Sequence, residues 1–235
     1  MKLRSLGQKD SSRRIRMKVI ELNRSVTESN DRDADALRAR MKKVGTLMFN
    51  LMSSPGSGKT TLLSRVITDM KDEYKLGVME ADIASDVDAV KIESLGAKAI
   101  QAHTDGMCHM DAGMTERAFD ALEDNDLDIV FLENVGNLIC PAEFDTGAGK
   151  NIMILSVPEG DDKPLKYPLM FSTSDALIIT KMDTKEYFDF DLDLCIDHVK
   201  KLNPSIQIFP VSAKTGEGMD AFENWMKEAL VEWKK

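Results

Sequence analysis

TLMFNLMSSPGSGKTT, residues 46–61, joins an apolar strand-like run to a glycine-rich loop and then to residues that can start a helix. The loop follows most of the phosphate-binding pattern G-x-x-x-x-G-K-[ST], although Ser53 stands where the pattern begins with glycine. Backbone N–H groups can surround an anion where little Cβ bulk intervenes, and the following helix adds the positive end of its dipole. We therefore predict phosphate binding by Pro55, Gly56, Ser57, Gly58, Lys59, Thr60 and Thr61.

Two side chains of this loop have specific expected roles. Lys59 should reach the β- and γ-phosphates of a nucleotide, and the Thr60 hydroxyl should bind Mg²⁺. The Cβ of Ser53 has to fit a turn that usually takes glycine, so Ser53 is the departure to inspect. A plain turn that binds nothing would require Lys59 and Thr60 to share this spacing by accident.

The size and composition of the chain fit one large domain. Its 235 residues are 43% hydrophobic, which is enough to bury a full core. No run of about eighteen apolar residues is present, and the basic N-terminus lacks the apolar stretch of a signal peptide. We expect a cytoplasmic protein with no membrane partner.

The formal charge of −9 is unevenly distributed along the chain. Residues 1–43 contain 13 Lys and Arg against 6 Asp and Glu, whereas the remainder contains 18 against 34. The acidic remainder argues against nucleic acid as a partner, because such binding needs basic surfaces. We predict a basic leader and helix over residues 1–44, with the helix starting near Thr27 and N-capped by Ser29 or Asn30, and a P-loop domain over residues 45–235.

Strand-like and helical patterns alternate after the loop. Apolar strand-like runs lie at 75–80, 97–102, 127–133, 150–157, 175–180 and 206–211. Helical patterns lie at 60–71, 85–95, 109–124, 189–202 and 218–233. This alternation predicts an α/β P-loop NTPase fold with a doubly wound, mostly parallel sheet, helices on both faces and an N-terminal helical extension.

Ligands of an open parallel sheet bind beyond the carboxyl ends of its strands, so the residues that follow each strand are candidates. Asp82 follows the second strand and is the leading candidate to hold Mg²⁺, together with Thr60 and Glu133. Glu133 can also orient the attacking water, and Gly136 lets its backbone N–H approach a γ-phosphate. The predicted catalytic residues are Lys59, Asp82 and Glu133.

Two further motifs indicate a guanine site. K-M-D at 181–183 resembles the N-K-x-D motif of GTPases, with Thr180 in place of Asn, and the Asp183 carboxylate can accept hydrogen bonds from guanine N1–H and the 2-amino group. S-A-K at 212–214 would bring the backbone N–H of Ala213 to guanine O6. Without the Asn amide at position 180, this loop should be less firmly tied to the phosphate loop. The predicted base-binding residues are Lys181, Asp183, Ser212, Ala213 and Lys214.

A thiol and an imidazole, Cys108 and His109, stand side by side at the predicted start of a helix. Cys140 follows the strand that ends at Glu133, so it reaches the same place if that strand and the strand before Cys108 are neighbours. Thiolate and imidazole suit Zn²⁺ or Ni²⁺ better than Mg²⁺, and three ligands leave a position for water or a second chain. Spacing alone also allows two core cysteines or a disulfide, and Cys195 is expected in the core.

Several segments together resemble the hydrogenase/urease nickel-insertion GTPases of the HypB type, over about residues 20–235. They are the phosphate loop, EADI (80–83), GMCHMDA (106–112), ENVGNLICPA (133–142), KPLKYPLMF (163–171), K-M-D and S-A-K. The resemblance implies a GTP-hydrolysing nickel metallochaperone for [NiFe] hydrogenase maturation that uses GTP, GDP and Mg²⁺. The chain has no C-x-x-C-G-C nickel motif and no histidine-rich tract, so N-terminal nickel storage is not expected.

The same resemblance implies partners. Two chains would form a GTP-dependent homodimer, with a Zn²⁺ or Ni²⁺ site of Cys108, His109 and Cys140 at the interface. Either Lys163 or Lys166 reaches across to the nucleotide of the other chain, or both lysines lie on a solvated loop. A hydrogenase maturation accessory protein and the hydrogenase large subunit would be the further partners.

Three other functions stay open at this point. A sibling chaperone for urease nickel or cobalamin would share the GTPase parts but lack this arrangement of Cys108, His109 and Cys140. A P-loop kinase of a small molecule is disfavoured by Asp183. A GTP-binding scaffold without hydrolysis would be distinguished only by the absence of turnover in the metal-loaded dimer.

Overall fold

The computed structural model describes residues 24–81, 86–123 and 126–235. Its strands are β1 Leu47–Ser53, β2 Leu76–Glu80, β3 Lys98–Gln101, β4 Ile129–Glu133, β5 Lys150–Ser156, β6 Ala176–Thr180 and β7 Gln207–Pro210. They form a seven-stranded sheet in the order β3-β2-β4-β1-β5-β6-β7, and every strand pair is parallel. The predicted strands are confirmed, with ends that shift by one or two residues.

The helices cover both faces of this sheet. They are α1 Arg24–Val44, α2 Lys59–Met70, α3 Asp86–Leu95, α4 Ala112–Ala121, α5 Lys163–Lys166, α6 Pro168–Ser172, α7 Leu192–Leu202 and α8 Met219–Trp233. Short 3₁₀ turns lie at Cys140–Ala142, Val157–Glu159 and Met182–Tyr187. Neither α5, α6 nor these turns was predicted, because segments of three to six residues are too short to display a helical period.

The central strand β1 shows why the sheet folds this way. All seven of its residues are buried. Phe49 and Leu51 pack with α2 and α8 on one face, whereas Met48 packs with α1 and α4 on the other. A strand buried on both faces reads as a continuous apolar run, which is how this segment reads in the sequence.

Helix α1 corrects one prediction. The chain is already helical at Arg24, so the predicted N-cap at Ser29 or Asn30 is wrong. Asn30 lies inside the helix, where its Oδ1 accepts from the backbone N–H of Ala112 at 2.9 Å and its Nδ2 donates to the carbonyl of Asp145 at 2.9 Å. A residue type that favours caps thus satisfies the start of a different helix. The predicted domain boundary at residue 44 stays a prediction.

The strand order corrects a second expectation. Cys108 follows β3 and Glu133 ends β4, but β2 lies between these strands, so they are not neighbours. The predicted Mg²⁺ ligand Asp82 lies outside the described residues, as does the basic leader up to residue 23. Among the helices that the structure describes, none has the length and apolar character needed to cross a membrane.

Candidate functional site

The loop between β1 and α2 has the backbone geometry of an anion cradle. Gly56 and Gly58 adopt left-handed conformations with φ of 76° and 98°, and Gly58 is the N-cap of α2 without a side-chain cap. Helix α2 therefore begins without a side-chain cap, and its N-terminus, with Thr60 and Thr61 in the first turn, lies at the loop. Ser57 is fully buried, and its hydroxyl has no hydrogen-bond partner among the described residues. A buried, unsatisfied hydroxyl beside a helix N-terminus fits a phosphate.

Lys59 is buried at the base of this cradle. Its Nζ donates to Ser53 Oγ at 3.0 Å and lies 3.9 Å from Glu133 Oε1. Ser53 is the last residue of β1 and pairs with Ile154 of β5, so its Cβ sits in ordinary strand geometry. The expected difficulty at Ser53 is therefore wrong: its hydroxyl holds the ammonium of Lys59, a contact that glycine could not make.

Two buried carboxyl groups end neighbouring strands beside the cradle. Glu80 ends β2 and Glu133 ends β4, and the two residues are directly in register. Carboxylate oxygens near Lys59 of the cradle suit a hard divalent cation such as Mg²⁺. Glu80 was not predicted as a site residue because it is the last residue of β2, whereas the candidates were sought among the residues that follow the strand, such as Asp82.

A cavity of about 300 Å³ opens beside the phosphate loop and brings three predicted motifs together. Its lining consists of Gly58, Thr61, Thr180, Lys181, Asp183, Thr184, Ala213 and Lys214. Asp183 Oδ1 accepts from Ser212 Oγ at 2.7 Å, which fixes the carboxylate and keeps its second oxygen for a ligand. Ser212 therefore orients Asp183. A fixed carboxylate at the wall of such a cavity can recognise a base edge that carries two N–H donors.

The expected loosening at Thr180 is wrong. The Thr180 hydroxyl donates to the carbonyl of Ser57 at 2.6 Å, and Lys181 Nζ donates to the carbonyl of Gly56 at 2.7 Å. Thr180 is buried at the end of β6, so its short side chain already lies against the phosphate loop. The base loop is thus tied to the phosphate loop by a hydroxyl and an ammonium in place of an amide.

A second cluster lies at the carboxyl end of the sheet. One ligand atom each of Cys108, His109 and Cys140 lies within 4.8 Å of the others. His109 is buried, and its ring stacks on Phe144 with centroids 3.9 Å apart and an interplanar angle of 15°. Burial lowers the pKa of His109, so its imidazole is neutral at pH 7 and available as a ligand. Two thiols and a neutral imidazole form a donor set for a soft or borderline cation.

The Cys108 thiol precedes helix α4, whereas Cys140 begins a short 3₁₀ turn. Helix α4 begins at Ala112 and is capped by Asp111, whose carboxylate accepts from the N–H of Met114 at 2.7 Å, so the prediction that Cys108 lies at a helix start is wrong. A hydrogen bond with Cys108, and then burial, raise the pKa of Cys140. Cys195, by contrast, is fully buried, and burial raises its pKa to about 12, as expected of a core thiol.

A short segment after β4 connects the two clusters. A Cβ on Gly136 would lie 3.0–3.3 Å from Pro55 of the phosphate loop, so the two backbones are in close contact. The next residue, Asn137, donates from Nδ2 to Cys140 Sγ and to the Cys108 carbonyl, both at 3.5 Å, and its Oδ1 accepts from the N–H of Ile139 at 2.8 Å. Phosphate loop and thiols are thus linked through two consecutive residues.

The two lysines predicted to act across a dimer are the first and last residues of α5, Lys163 and Lys166. Lys166 forms an exposed ion pair with Asp162 at 2.5 Å, and Lys163 Nζ lies 5.8 Å from the ring centroid of Tyr167. Both contacts are at the surface and within their own segment. A reach to another chain stays a prediction.

Comparisons with known proteins agree with this geometry. The family model described as "CobW/HypB/UreG, nucleotide-binding domain" matches residues 47–210. The chain belongs to the CobW/HypB/UreG family. The resemblance predicted from its motifs is confirmed, and so is the P-loop NTPase fold.

Relatives within the CobW/HypB/UreG family are similar over most of the chain. The hydrogenase maturation factor HypB of Azotobacter chroococcum mcd 1 is 43% identical over 210 residues, which are 89% of this chain and 69% of that protein. The hydrogenase/urease maturation factor HypB of Helicobacter pylori strain 26695 is 41% identical over 90% of this chain and 88% of its own length. A crystal structure of Helicobacter pylori HypB in complex with nickel superposes with a TM-score of 0.82 and 43% identity, covering 87% of this chain and 96% of that one.

Sequence reasoning missed three residues that shape the clusters of this family member. Asn137 and Asn134 lie inside the quoted ENVGNLICPA segment, but their side-chain contacts could not be read from it. Phe144 gave no signal, because its stacking on His109 depends on how two distant loops meet. A polar residue within a run that already holds predicted ligands is the signal that could have found the asparagines.

Proposed function

We propose that this chain is a GTP-hydrolysing nickel metallochaperone that assists nickel insertion into [NiFe] hydrogenase. The observation that carries the proposal is the joining of two sites: a guanine-sized cavity with a phosphate cradle, and a Cys108–His109–Cys140 donor set, linked through Gly136 and Asn137. Family membership and the printed function of the HypB relatives support the same assignment. Nickel is then the cargo, and GTP the substrate whose cleavage resets the site.

The residues have distinct roles in this proposal. The loop residues 55–61 hold the phosphates, with Lys59 on the β- and γ-phosphates, and Asp183 and the Ala213 N–H select guanine. Thr60, Asp82 and Glu133 hold Mg²⁺, which supplies charge stabilisation at the phosphates when bound. Glu133 orients the attacking water, so that GTP and water give GDP and phosphate.

Coupling follows from the short segment after β4. A γ-phosphate that attracts the Gly136 N–H moves a backbone that already touches Pro55. Asn137 moves with it and carries its contacts to Cys140 Sγ and the Cys108 carbonyl. GTP and GDP thereby favour different distances between the two thiols, and a change of that distance alters affinity for Ni²⁺ or Zn²⁺.

The donor set also supports dimerisation. Cys108 is exposed and three protein ligands leave a fourth position, which a second copy of the chain can fill. We propose a GTP-dependent homodimer with the metal at its interface, acting in the cytoplasm with a hydrogenase maturation accessory protein and the hydrogenase large subunit.

The test is a titration of Ni²⁺ and of Zn²⁺ into the wild type and Cys140→Ala, each with GDP and with a non-hydrolysable GTP analogue, alongside sedimentation velocity. The expected result is a metal affinity and a dimer fraction that both change with nucleotide in the wild type and are lost with Cys140→Ala. Identical metal affinity, stoichiometry and dimer fraction in both nucleotide states would show the coupling to be wrong.

A kinase remains the second candidate function only if ATP competes equally with GTP. The orientation of Asp183 by Ser212 favours guanine. A competition experiment with the two nucleotides decides between them.

A further inference from the structure

Three asparagines lie across the middle of the sheet, and two of them are buried where apolar residues would be expected, while the third, Asn151, is half-buried. Asn50 lies in β1, Asn134 directly follows β4, and Asn151 lies in β5. Asn134 is fully buried and Asn50 is 1% exposed. An unpaired amide at such a depth costs free energy, so each polar group has to find a partner.

The hydrogen bonds of Asn134 reach the metal cluster. Its Oδ1 accepts from the backbone N–H of Met110 at 3.1 Å and from that of Val135 at 2.9 Å. Because backbone N–H groups can only donate, this oxygen is assigned without ambiguity. Met110 directly follows His109, so Asn134 anchors the loop that carries Cys108 and His109.

The other end of the same amide reaches the nucleotide-binding strands. Asn134 Nδ2 donates to Asn50 Oδ1 at 3.1 Å, and Asn50 Nδ2 donates to Asn151 Oδ1 at 3.0 Å. The Asn134 backbone N–H donates to the carbonyl of Leu51 at 3.1 Å. The relay therefore spans β4, β1 and β5, and β1 is the strand that leads into the phosphate loop.

We infer that Asn134 is a positioning residue of the metal site, and that it links the Cys108–His109 loop to the nucleotide-binding strands independently of Asn137. Asn137 accounts for the contact with Cys140, whereas Asn134 accounts for the other half of the donor set. Residues 133–137 then act on both halves of the cluster. This inference rests on the proposed metal-binding function, which it extends from one ligand to all three.

The relay also explains how a change at one end is felt at the other. The three amides are joined by two hydrogen bonds that run in the same direction, from Asn134 to Asn50 and from Asn50 to Asn151, so moving one amide breaks a bond unless its neighbour follows. A shift of β1 on nucleotide binding must therefore carry Asn134 with it or leave a buried amide unpaired. Met110, and with it His109, follows Asn134.

The test compares Asn134→Ala and Asn134→Asp with Asn203→Ala as the matched control. Asn203 likewise joins separate segments, since its Nδ2 donates to the backbone carbonyls of Phe171, Ser172 and Ser174, but it lies at the opposite end of the strands. Asp at position 134 keeps the acceptor for the Met110 N–H. If the Asn50 amide rotates, its Nδ2 can donate to this carboxylate, and a matching rotation of Asn151 restores the bond between Asn151 and Asn50.

Ni²⁺ is titrated into each purified full chain with GDP and with the non-hydrolysable GTP analogue, and the thiolate-to-nickel absorption band is recorded. We expect Asn134→Ala to weaken Ni²⁺ binding by about 10- to 100-fold, to shift the band and to remove the difference between nucleotide states. Asn134→Asp should recover much of the affinity. Asn203→Ala should lower the melting temperature without changing the affinity, the band or the nucleotide effect.

The inference is overturned if Asn134→Ala binds Ni²⁺ with wild-type affinity and an unchanged band, or if Asn203→Ala has the same effect. Failure of the proposed function looks different: the wild type itself would bind no Ni²⁺ or show no nucleotide effect. In that case amide hydrogen exchange at Met110 still decides the positioning role. It should be faster in Asn134→Ala than in the wild type and Asn203→Ala, and equal rates would overturn it.

Discussion

The phosphate loop and the metal cluster occupy the same end of the sheet, but short hydrogen bonds hold the side chains of the first more firmly than those of the second. On the nucleotide side, Thr180 and Lys181 bond the carbonyls of Ser57 and Gly56, and Ser212 fixes Asp183. On the metal side, Cys108 is exposed, and Asn137 contacts the two cysteine residues only at 3.5 Å.

The difference indicates which side can respond. A region whose polar groups are paired to one another before a ligand arrives is preorganised, and ligand binding changes it little. The Cys140 side of the cluster, which Asn137 holds by contacts of 3.5 Å, can take two arrangements with a small difference in free energy. We therefore expect the nucleotide side to set the state and the metal side to report it.

The largest effect that tests this comparison is expected at the base. Asp183→Asn should remove two charge-assisted hydrogen bonds to guanine, each worth about 1.5–3 kcal/mol, and so weaken GTP binding by roughly 10²- to 10⁴-fold. Xanthosine triphosphate, whose 2-oxo group can accept from the new amide, should bind better than GTP. Fluorescence titration with both nucleotides measures this.

Asp189→Asn, at an exposed position of the same surface region, is the control and should bind GTP as the wild type does. If Asp183→Asn also weakened Ni²⁺ binding in nucleotide-free protein, the two sides would not be separable in the way the comparison requires.

The next effect is expected on the metal side. Cys140→Ser replaces a thiolate by a poor hydroxyl ligand, so Ni²⁺ affinity should fall by more than the ~10- to 100-fold of an outer-shell change. GTP affinity should stay within about twofold of wild type, since the preorganised cradle does not include Cys140. Isothermal titration calorimetry measures both.

Cys195→Ser is the matched control, because Cys195 lies on the fully buried side of α7, in a core cluster without Cys108, His109 or Cys140. It should lower the melting temperature and leave Ni²⁺ affinity unchanged. Equal weakening of Ni²⁺ binding by both variants would mean that the cluster is not the nickel site.

A smaller effect is expected from the ring that holds His109. Phe144→Leu removes the stacking partner at 3.9 Å and frees the imidazole to rotate, so Ni²⁺ affinity should fall by about tenfold. Phe188→Leu changes an exposed ring in the segment after β6 and serves as the control. An unchanged affinity with Phe144→Leu would place the orientation of His109 elsewhere, and competitive chelation provides the measurement.

The smallest expected effect concerns the contribution of Glu223, a buried residue of α8, to the free energy of unfolding. Burial first, and then the charge and hydrogen bond of Asp69, raise the pKa of Glu223 from 4.5 to about 7, partly opposed by Arg65 and aided by Asp220. Between pH 4.5 and pH 7 the folded chain therefore keeps a proton that the unfolded chain has lost, so this residue makes stability fall as pH rises. Above pH 7 the full penalty is present.

Glu223→Gln should remove that penalty. At pH 8 we expect the free energy of unfolding to rise by about 1 kcal/mol, or the melting temperature by roughly 2–4 °C. At pH 4 we expect no gain, because the Glu223 carboxyl group is then mostly protonated in the folded and the unfolded chain alike. Differential scanning calorimetry at the two pH values measures this. A gain that is the same at pH 4 and pH 8 would exclude titration of Glu223 as its cause.

Much of the fold was predictable because β1 and the other strands are continuous apolar runs and α2, α7 and α8 show helical spacing. The location of the residues that follow the strands was predictable too, because parallel topology alone brings those positions to one end of the sheet. The order of the strands within the sheet was not predictable in this way. Strand β2 lies between β3 and β4, and nothing local in the sequence encodes which strands are neighbours.

The errors have a common physical origin. Asn30 reads locally as an N-cap, and Thr180 reads as the loss of an amide, because each was judged by its own segment. In the folded chain Asn30 bonds Ala112 and Asp145, and Thr180 bonds Ser57. Side-chain hydrogen bonds between segments about 80 or more residues apart leave no periodic trace in a sequence.

The contacts of Asn30 bear on how the protein is divided for study. A fragment that begins at β1 would contain Lys59, Asp183 and all three residues of the metal cluster, and would look complete by its motifs. It would nevertheless lack the amide that joins the start of α4, three residues beyond His109, to the loop at Asp145, next to Phe144. Metal binding measured on such a fragment would describe a site without the Asn30 hydrogen bonds, whereas we expect nucleotide binding to be retained.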